Sequence, residues 1–288
     1  MMQLHEACWL AFLVVVLVRG TVFTPAPMAW PLLAGWLALL AAFAWAWRQT
    51  RRPDARGRRW GWAYYPLAMN LAFTLLGPTI KDATAWRADD ALAGLDALLV
   101  GENLSLRMEP WITPWLSDLM SLGYMSFMVL LFGALVFYLL RSPHLARCYR
   151  GLFTVYGLGF LGYVLVPAAG PYVAMAGRFS TPIEGGWPTA LNALMVSRGS
   201  NHVNVFPSLH VAVSLFLWLT LLRDHRRLGL ALTPLIVVLW ASTIYLRYHY
   251  CIDLLAGAAL AGASFLLADA GQRQGAPAGG LAAQSDPS

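Results

Sequence analysis

The chain has 288 residues, 59% of them hydrophobic and only 12% charged, with mean hydropathy +0.58 and a formal net charge of +6. A soluble domain carries about 25% charged residues, so the composition excludes a soluble globular protein and calls for a polytopic membrane protein. The positive balance does not point to nucleic acid, because the arginines sit in short turns between apolar runs, where orientation signals belong.

The first apolar run, Ala7 to Thr24, is interrupted only by Arg19, whose stem can snorkel to an interface. No basic n-region and no small-residue cleavage site mark it as a leader, so it reads as a retained span. A Pro25/Pro27 turn leads to a second run, Met28 to Trp47. Between Arg48 and Arg59 stand six arginines against the single Asp54; the positive-inside rule makes this turn cytoplasmic. The third run is Gly61 to Ile80.

Residues 81–117 mix polar and apolar positions and hold Asp82, Asp89, Asp90, Asp96, Glu102 and Glu109. They read as an outer-face segment with short amphipathic helices in the interface, the Leu95–Gly101 stretch (L-D-A-L-L-V-G) being helical. The fourth span is Asp118 to Leu140, and a turn with Arg141, Arg147 and Arg150 precedes the fifth, Gly151 to Pro167. Residues 168–206 are Gly- and Pro-rich, too polar to cross, and are expected to cap the outer face. The sixth span opens at P-S-L-H and ends near Leu222, a basic turn covers Arg223 to Arg227, the seventh span is Leu228 to Leu246, and the eighth runs from about Cys251 to Ala268. From Gly271 a Gly/Ala/Gln tail reads as disordered.

The expected fold is therefore an all-α integral membrane protein of about eight transmembrane helices. A two-helix hairpin and basic loop occupy residues 1–60, a six-helix core residues 61–270, and the tail residues 271–288. With the three Arg-rich turns and both termini inside, Pro207–His210 and Arg247–Asp253 fall on the extracytoplasmic side of a cell membrane. Cys8, Cys148 and Cys251 lack metal or redox spacing and read as buried, inert thiols.

His210 and His249 lie 39 positions apart, which at about 1.5 Å per residue is one helix down and one back across roughly 30 Å of hydrocarbon. A helical hairpin would return both imidazoles to one face. Asp253 follows His249 at i+4, on the same helical face. One histidine alone reads as structural glue between helices; two with a carboxylate read as a site. Asp253 would fix the His249 tautomer, Arg247 offers a fork for phosphate, and Ser208 opens a helix whose free N–H groups favour an anion. This set suits phosphoryl transfer through a covalent phosphohistidine, one histidine attacking and the other protonating the leaving oxygen.

P-S-L-H at Pro207–His210 and H-Y-x-x-D at His249–Asp253, followed by L-L-A-G, resemble the second and third signatures of the type 2 phosphatidic acid phosphatase superfamily. Leu209, the His249-Tyr250 pair and the upstream L-D-A-L-L-V-G are most similar to its inositol phosphorylceramide synthase-like branch. The resemblance implies a six-helix catalytic core facing the extracytoplasmic side and acting on a lipid phosphate or phospholipid without metal or other cofactor. It implies His249 as nucleophile, Asp253 as its orienting acid and His210 as general acid and then base. Two positions depart from the pattern. The first signature, K-x6-R-P, is absent, Gly170 preceding Pro171, and Thr243 replaces the third-signature arginine. Arg247, one helical turn later on the same face, is expected to supply that charge, with Arg178, Arg198 and His202 completing the phosphate contacts.

The acceptor stays open between water and an alcohol such as inositol, and no oligomeric state follows. Competing readings are a transporter or non-catalytic scaffold, a serine hydrolase using Ser208, and zinc held by His202, His210, His249 and Asp253. Pro207 before the serine and the missing Gly-x-Ser-x-Gly elbow argue against the hydrolase, and the absence of a repeated half argues against a transporter.

Overall fold

The computed structural model describes residues 2–23, 28–81 and 87–273. Helices joined by short turns make up these residues, with a lone bridge between Ala168 and Asn204 in place of any strand. The expected Pro25/Pro27 turn, Asp82 and residues 274–288 lie outside the described residues.

In chain order the helices are α1 (Leu4–Val22), α2 (Trp30–Gln49), α3 (Ala55–Lys81), α4 (Asp89–Val100), α5 (Leu104–Arg107), α6 (Pro114–Arg141), α7 (Leu145–Leu165), α8 (Pro171–Ala174), α9 (Trp187–Gly199), α10 (Leu209–Asp224), α11 (Arg226–Tyr245) and α12 (Cys251–Arg273). The eight long ones coincide with the eight apolar runs. Five of them, α1, α2, α6, α11 and α12, are long and apolar enough to cross a membrane, and the chain is a multi-pass membrane protein. The other three have identifiable reasons for falling short. Helix α10 has 16 residues, the apolar part of α3 is diluted by Tyr64, Tyr65, Pro66, Asn70 and Pro78, and 13 of the 21 residues of α7 are buried against other helices. An inner helix meets protein instead of lipid, so it tolerates glycine, threonine and tyrosine.

Some boundaries differ from the sequence expectation. Helix α6 starts at Pro114, not Asp118, because extended Thr113 precedes a proline suited to the first helical position. Helix α12 runs on to Arg273, past Gly271 where the tail was expected to begin. Cys8 and Cys148 are buried thiols, whereas Cys251 is only half-buried.

In lipid there is no hydrophobic force drawing one helix to another, so close packing and satisfied polar groups hold the bundle. Helix α7 lies at its centre against α1, α3, α10 and α12. An aromatic stack of Trp9, Phe12, Tyr65, Phe153 and Phe160 fills the α1–α3–α7 seam. Trp9 Nε1 donates to the Tyr64 hydroxyl at 3.0 Å, which donates to the Leu39 carbonyl at 3.0 Å, so these buried polar atoms are paired. Large apolar side chains such as Leu67, Val129, Leu140 and Leu266 point outward, as a bilayer demands.

The two ends differ. At one, Arg51 pairs with Glu6, and Asp224 receives Arg147 and the Tyr138 hydroxyl, tying the three Arg-rich turns to the bundle. At the other, α4 packs on α12, α5 on α11 and α9 on α6.

Candidate active site

Helix α10 begins with Ser208 in an extended conformation, its hydroxyl accepting the Val211 N–H at 3.4 Å. This places His210 in the first turn. Helix α11 ends in a reverse turn of the Schellman type. Tyr248 N–H bonds to the Thr243 carbonyl and Arg247 N–H to that of Ile244, with Arg247 in the left-handed region at φ 65°. The reversal delivers His249 to the start of α12. There the Asp253 carboxylate reaches back to the Tyr250 N–H at 2.8 Å, the returning half of a capping box.

Two contacts bring the helix starts together. The Ser208 N–H donates to the Asp253 carbonyl at 3.0 Å. Gly257 also lets α12 lie against α10, since a Cβ there would stand 2.5 Å from the Ser208 carbonyl oxygen. The result is a continuous chain: Asp253 Oδ2 lies 3.3 Å from His249 Nδ1, and His249 Nε2 lies 3.3 Å from His210 Nδ1. All three side chains come from turns or first helical turns, where the backbone fixes them.

A carboxylate only accepts hydrogen bonds, so Asp253 places the His249 proton on Nδ1 and leaves a lone pair on Nε2. Burial pulls the His249 imidazole down to about 3, a nearby Val205 carbonyl opposing weakly. The ring is therefore neutral and nucleophilic at ordinary pH. His210 is clasped between Tyr124 and Phe127, each ring centroid 4.6 Å away.

Two aspartates that were given no site role in the sequence reading, Asp89 of the acidic interfacial segment and Asp96 of the L-D-A-L-L-V-G element, prove to hold this turn. Asp96, fully buried on α4, accepts the Cys251 and Ile252 N–H groups at 2.9 Å each, the first two donors of α12. Burial raises its carboxyl above the ordinary value while those two donors oppose it. Asp89 accepts the Ala169 and Gly170 N–H groups at 2.9 Å and the Tyr250 hydroxyl at 3.0 Å. Gly170 has φ 89°, and a Cβ on it would meet the Tyr248 carbonyl. The sequence signal for Asp96 was its place in the L-D-A-L-L-V-G element; what that acid does became visible only where it meets the N–H groups of α12.

A cavity of about 530 Å³ opens onto the pair. Its lining includes the polar side chains of His210, His249, Tyr124, Tyr248 and Asn192 and the apolar Met69, Phe73, Met128 and Phe132 of α3 and α6. Of the other predicted residues, Arg198 lines this cavity. Ser208 is buried in its cap. Arg178 is exposed and outside the cavity wall, and His202 faces Tyr172, Nδ1 to hydroxyl at 3.2 Å. Arg247 is not on the helical face expected for it, because α11 ends at Tyr245 and the left-handed turn redirects its side chain. It pairs with Glu109 at 3.2 Å, donates to the Thr181 carbonyl and covers the Phe179 ring at 3.9 Å. The four-residue zinc set is likewise not assembled: no metal-holding group of His, Cys, Asp or Glu occurs among the described residues.

The sequence profile of the PAP2 superfamily matches residues 96–267. No curated protein and no solved structure matches the chain.

Proposed function

The chain belongs to the PAP2 superfamily, and from that premise we propose that it is a membrane-embedded lipid phosphatase or phosphotransferase working through a phosphohistidine. The observation that carries this reading is the Asp253–His249–His210 chain, whose two imidazoles line a mostly apolar cavity.

In the first half-reaction the Nε2 lone pair of His249 attacks phosphorus while Asp253 steadies the charge that grows on the ring. The bond from phosphorus to the leaving oxygen breaks, and His210, which takes up a proton as the phosphate anion binds beside it, passes that proton to the leaving oxygen. In the second half, water or an alcohol attacks the phosphohistidine, neutral His210 takes its proton, and the phosphorus–nitrogen bond breaks. Phosphorus has to enter between Nε2 of His249 and the His210 ring, so their 3.3 Å contact must open on substrate binding. Arg198, a cation in the cavity wall, is the side chain best placed to meet the phosphate. The Met- and Phe-lined remainder suits a lipid chain. A serine nucleophile is disfavoured because the Ser208 hydroxyl is buried in capping α10.

The reading is tested with purified protein and a panel of lipid phosphates and phosphodiesters. We expect phosphate release or head-group transfer, a trapped phosphoenzyme that is acid-labile and stable to base, and a loss of at least about 10³-fold in His249→Ala. Retained turnover in that variant would overturn the mechanism.

A further inference from the structure

The site is short of the donors that a phosphate needs. The first signature is absent, Thr243 stands where the third has arginine, and Arg247 is held by Glu109 and the Thr181 carbonyl. One hydroxyl beside the imidazoles is unused. Tyr124 lies on the inward face of α6, since Ser117, Ser121, Phe127 and Leu131, three or seven positions from it, are all buried. Tyr124 itself is only half-buried, because this face borders the cavity. Its hydroxyl bonds to no described residue and, unlike that of Tyr65, is not closed off in the core.

The surroundings narrow what that hydroxyl can meet. The neighbouring phenols are occupied, Tyr248 accepting from Asn192 and Tyr172 donating to Ser200. The Tyr124 ring lies against His210 with centroids 4.6 Å and planes 31° apart, and against Tyr248 at 4.7 Å. Imidazole nitrogens make their hydrogen bonds in the ring plane, so a phenol lying on the His210 face cannot bond to them. The methionines and phenylalanines of the cavity accept nothing useful, and neither does a lipid chain. What remains is the group that enters beside His210. A neutral phenol costs far less to hold in an apolar cavity than an unpaired arginine, and its bond to an anionic oxygen is charge-assisted.

Building on the phosphotransfer reading, we propose that Tyr124 is a further catalytic residue, its hydroxyl donating to a non-bridging oxygen of the phosphoryl group held between the two histidines. It replaces part of the missing cationic signature. At the transition state negative charge is spread over the three equatorial oxygens, and a donor already fixed against His210 meets it without reorganising. No proton is transferred in this contact; the phenol keeps its hydrogen throughout.

The experiment compares the purified full chain with Tyr124→Phe, which removes one oxygen and keeps both ring contacts. Turnover is measured on phosphatidic acid and phosphatidylglycerol, and inhibition with orthovanadate, whose five-coordinate form imitates the transition state and carries no lipid. On whichever lipid is turned over we expect kcat to fall about 10–100-fold while KM changes less than about threefold. The orthovanadate inhibition constant should rise about 10-fold. Turnover and inhibition both within about twofold of the parent leave the ring to packing alone and overturn the proposal. A loss of turnover with orthovanadate inhibition unchanged overturns it as well, because the hydroxyl then acts away from phosphorus. Retained turnover in His249→Ala overturns the phosphotransfer reading instead, whatever Tyr124→Phe does.

Discussion

At the scale of single residues the proposed chemistry turns on which nitrogen of His249 keeps its proton. Asp253 decides that, so Asp253→Asn should cut turnover by about 10²–10⁴-fold, as loss of an orienting carboxylate does in other histidine sites. Single-turnover phosphoenzyme formation should slow as much as the steady-state rate; a variant within threefold of the parent would remove the orienting role. The pairing was legible in the sequence because four-residue spacing survives a helix start. His249 stands two residues before α12, yet a carboxylate at the third helical position turns back over that start. Arg247 was not legible in the same way. Extending the helical face of α11 by one turn assumes right-handed backbone throughout, and Arg247 sits at φ 65°. Its side chain instead joins Glu109, whose carboxyl is held below its ordinary value by the Thr181 N–H first, then by Ser180 and by Arg247 itself. Asn192, on a Gly- and Pro-flanked segment with no motif around it, offered no signal at all; only folding places its amide beside Tyr248.

At the scale of elements, the eight apolar runs sufficed to locate the long helices, because lipid-facing length is written directly into hydropathy. Of the short helices over the site, the Leu95–Gly101 stretch was readable and lies at the end of α4, but what these helices do was not. Their residues serve other elements instead of themselves, as α4 shows: its two buried acids secure α12 and the Ala169–Gly170 turn. Removing the Asp96 carboxylate leaves the first two N–H groups of α12 unpaired, with a stability loss of about 1–3 kcal/mol. Since the same turn carries His249 and Asp253, displacement of about 1 Å would slow catalysis about 10²-fold. Asp96→Ala should therefore lower kcat more than it raises KM, with Asp96→Asn recovering part of the rate by keeping one acceptor. Equal rates for parent and Asp96→Ala, measured well below the melting temperature of both, would leave α4 a bystander.

At the scale of the whole molecule, the chain has two chemically distinct ends. The Arg-rich turns gather at one, fastened by Glu6 and Asp224, and the histidine pair lies at the other beneath α4 and α9. Positive turns stay on the cytoplasmic side during insertion, so the site end should face away from the cytoplasm and meet lipids in the outer leaflet. Exposed positions make the orientation measurable. Glu184 lies among the site-end segments and Arg56 in the basic turn, both exposed; single cysteines at either would be open to a membrane-impermeant maleimide from one side only. Cys8 and Cys148 are buried, and Cys251 can be replaced by serine to lower the background. On sealed cells or spheroplasts Glu184→Cys should label and Arg56→Cys should label only after permeabilisation. The reverse pattern would turn the site toward the cytoplasm, and with it the pool of lipids and alcohols that the proposed phosphohistidine would meet.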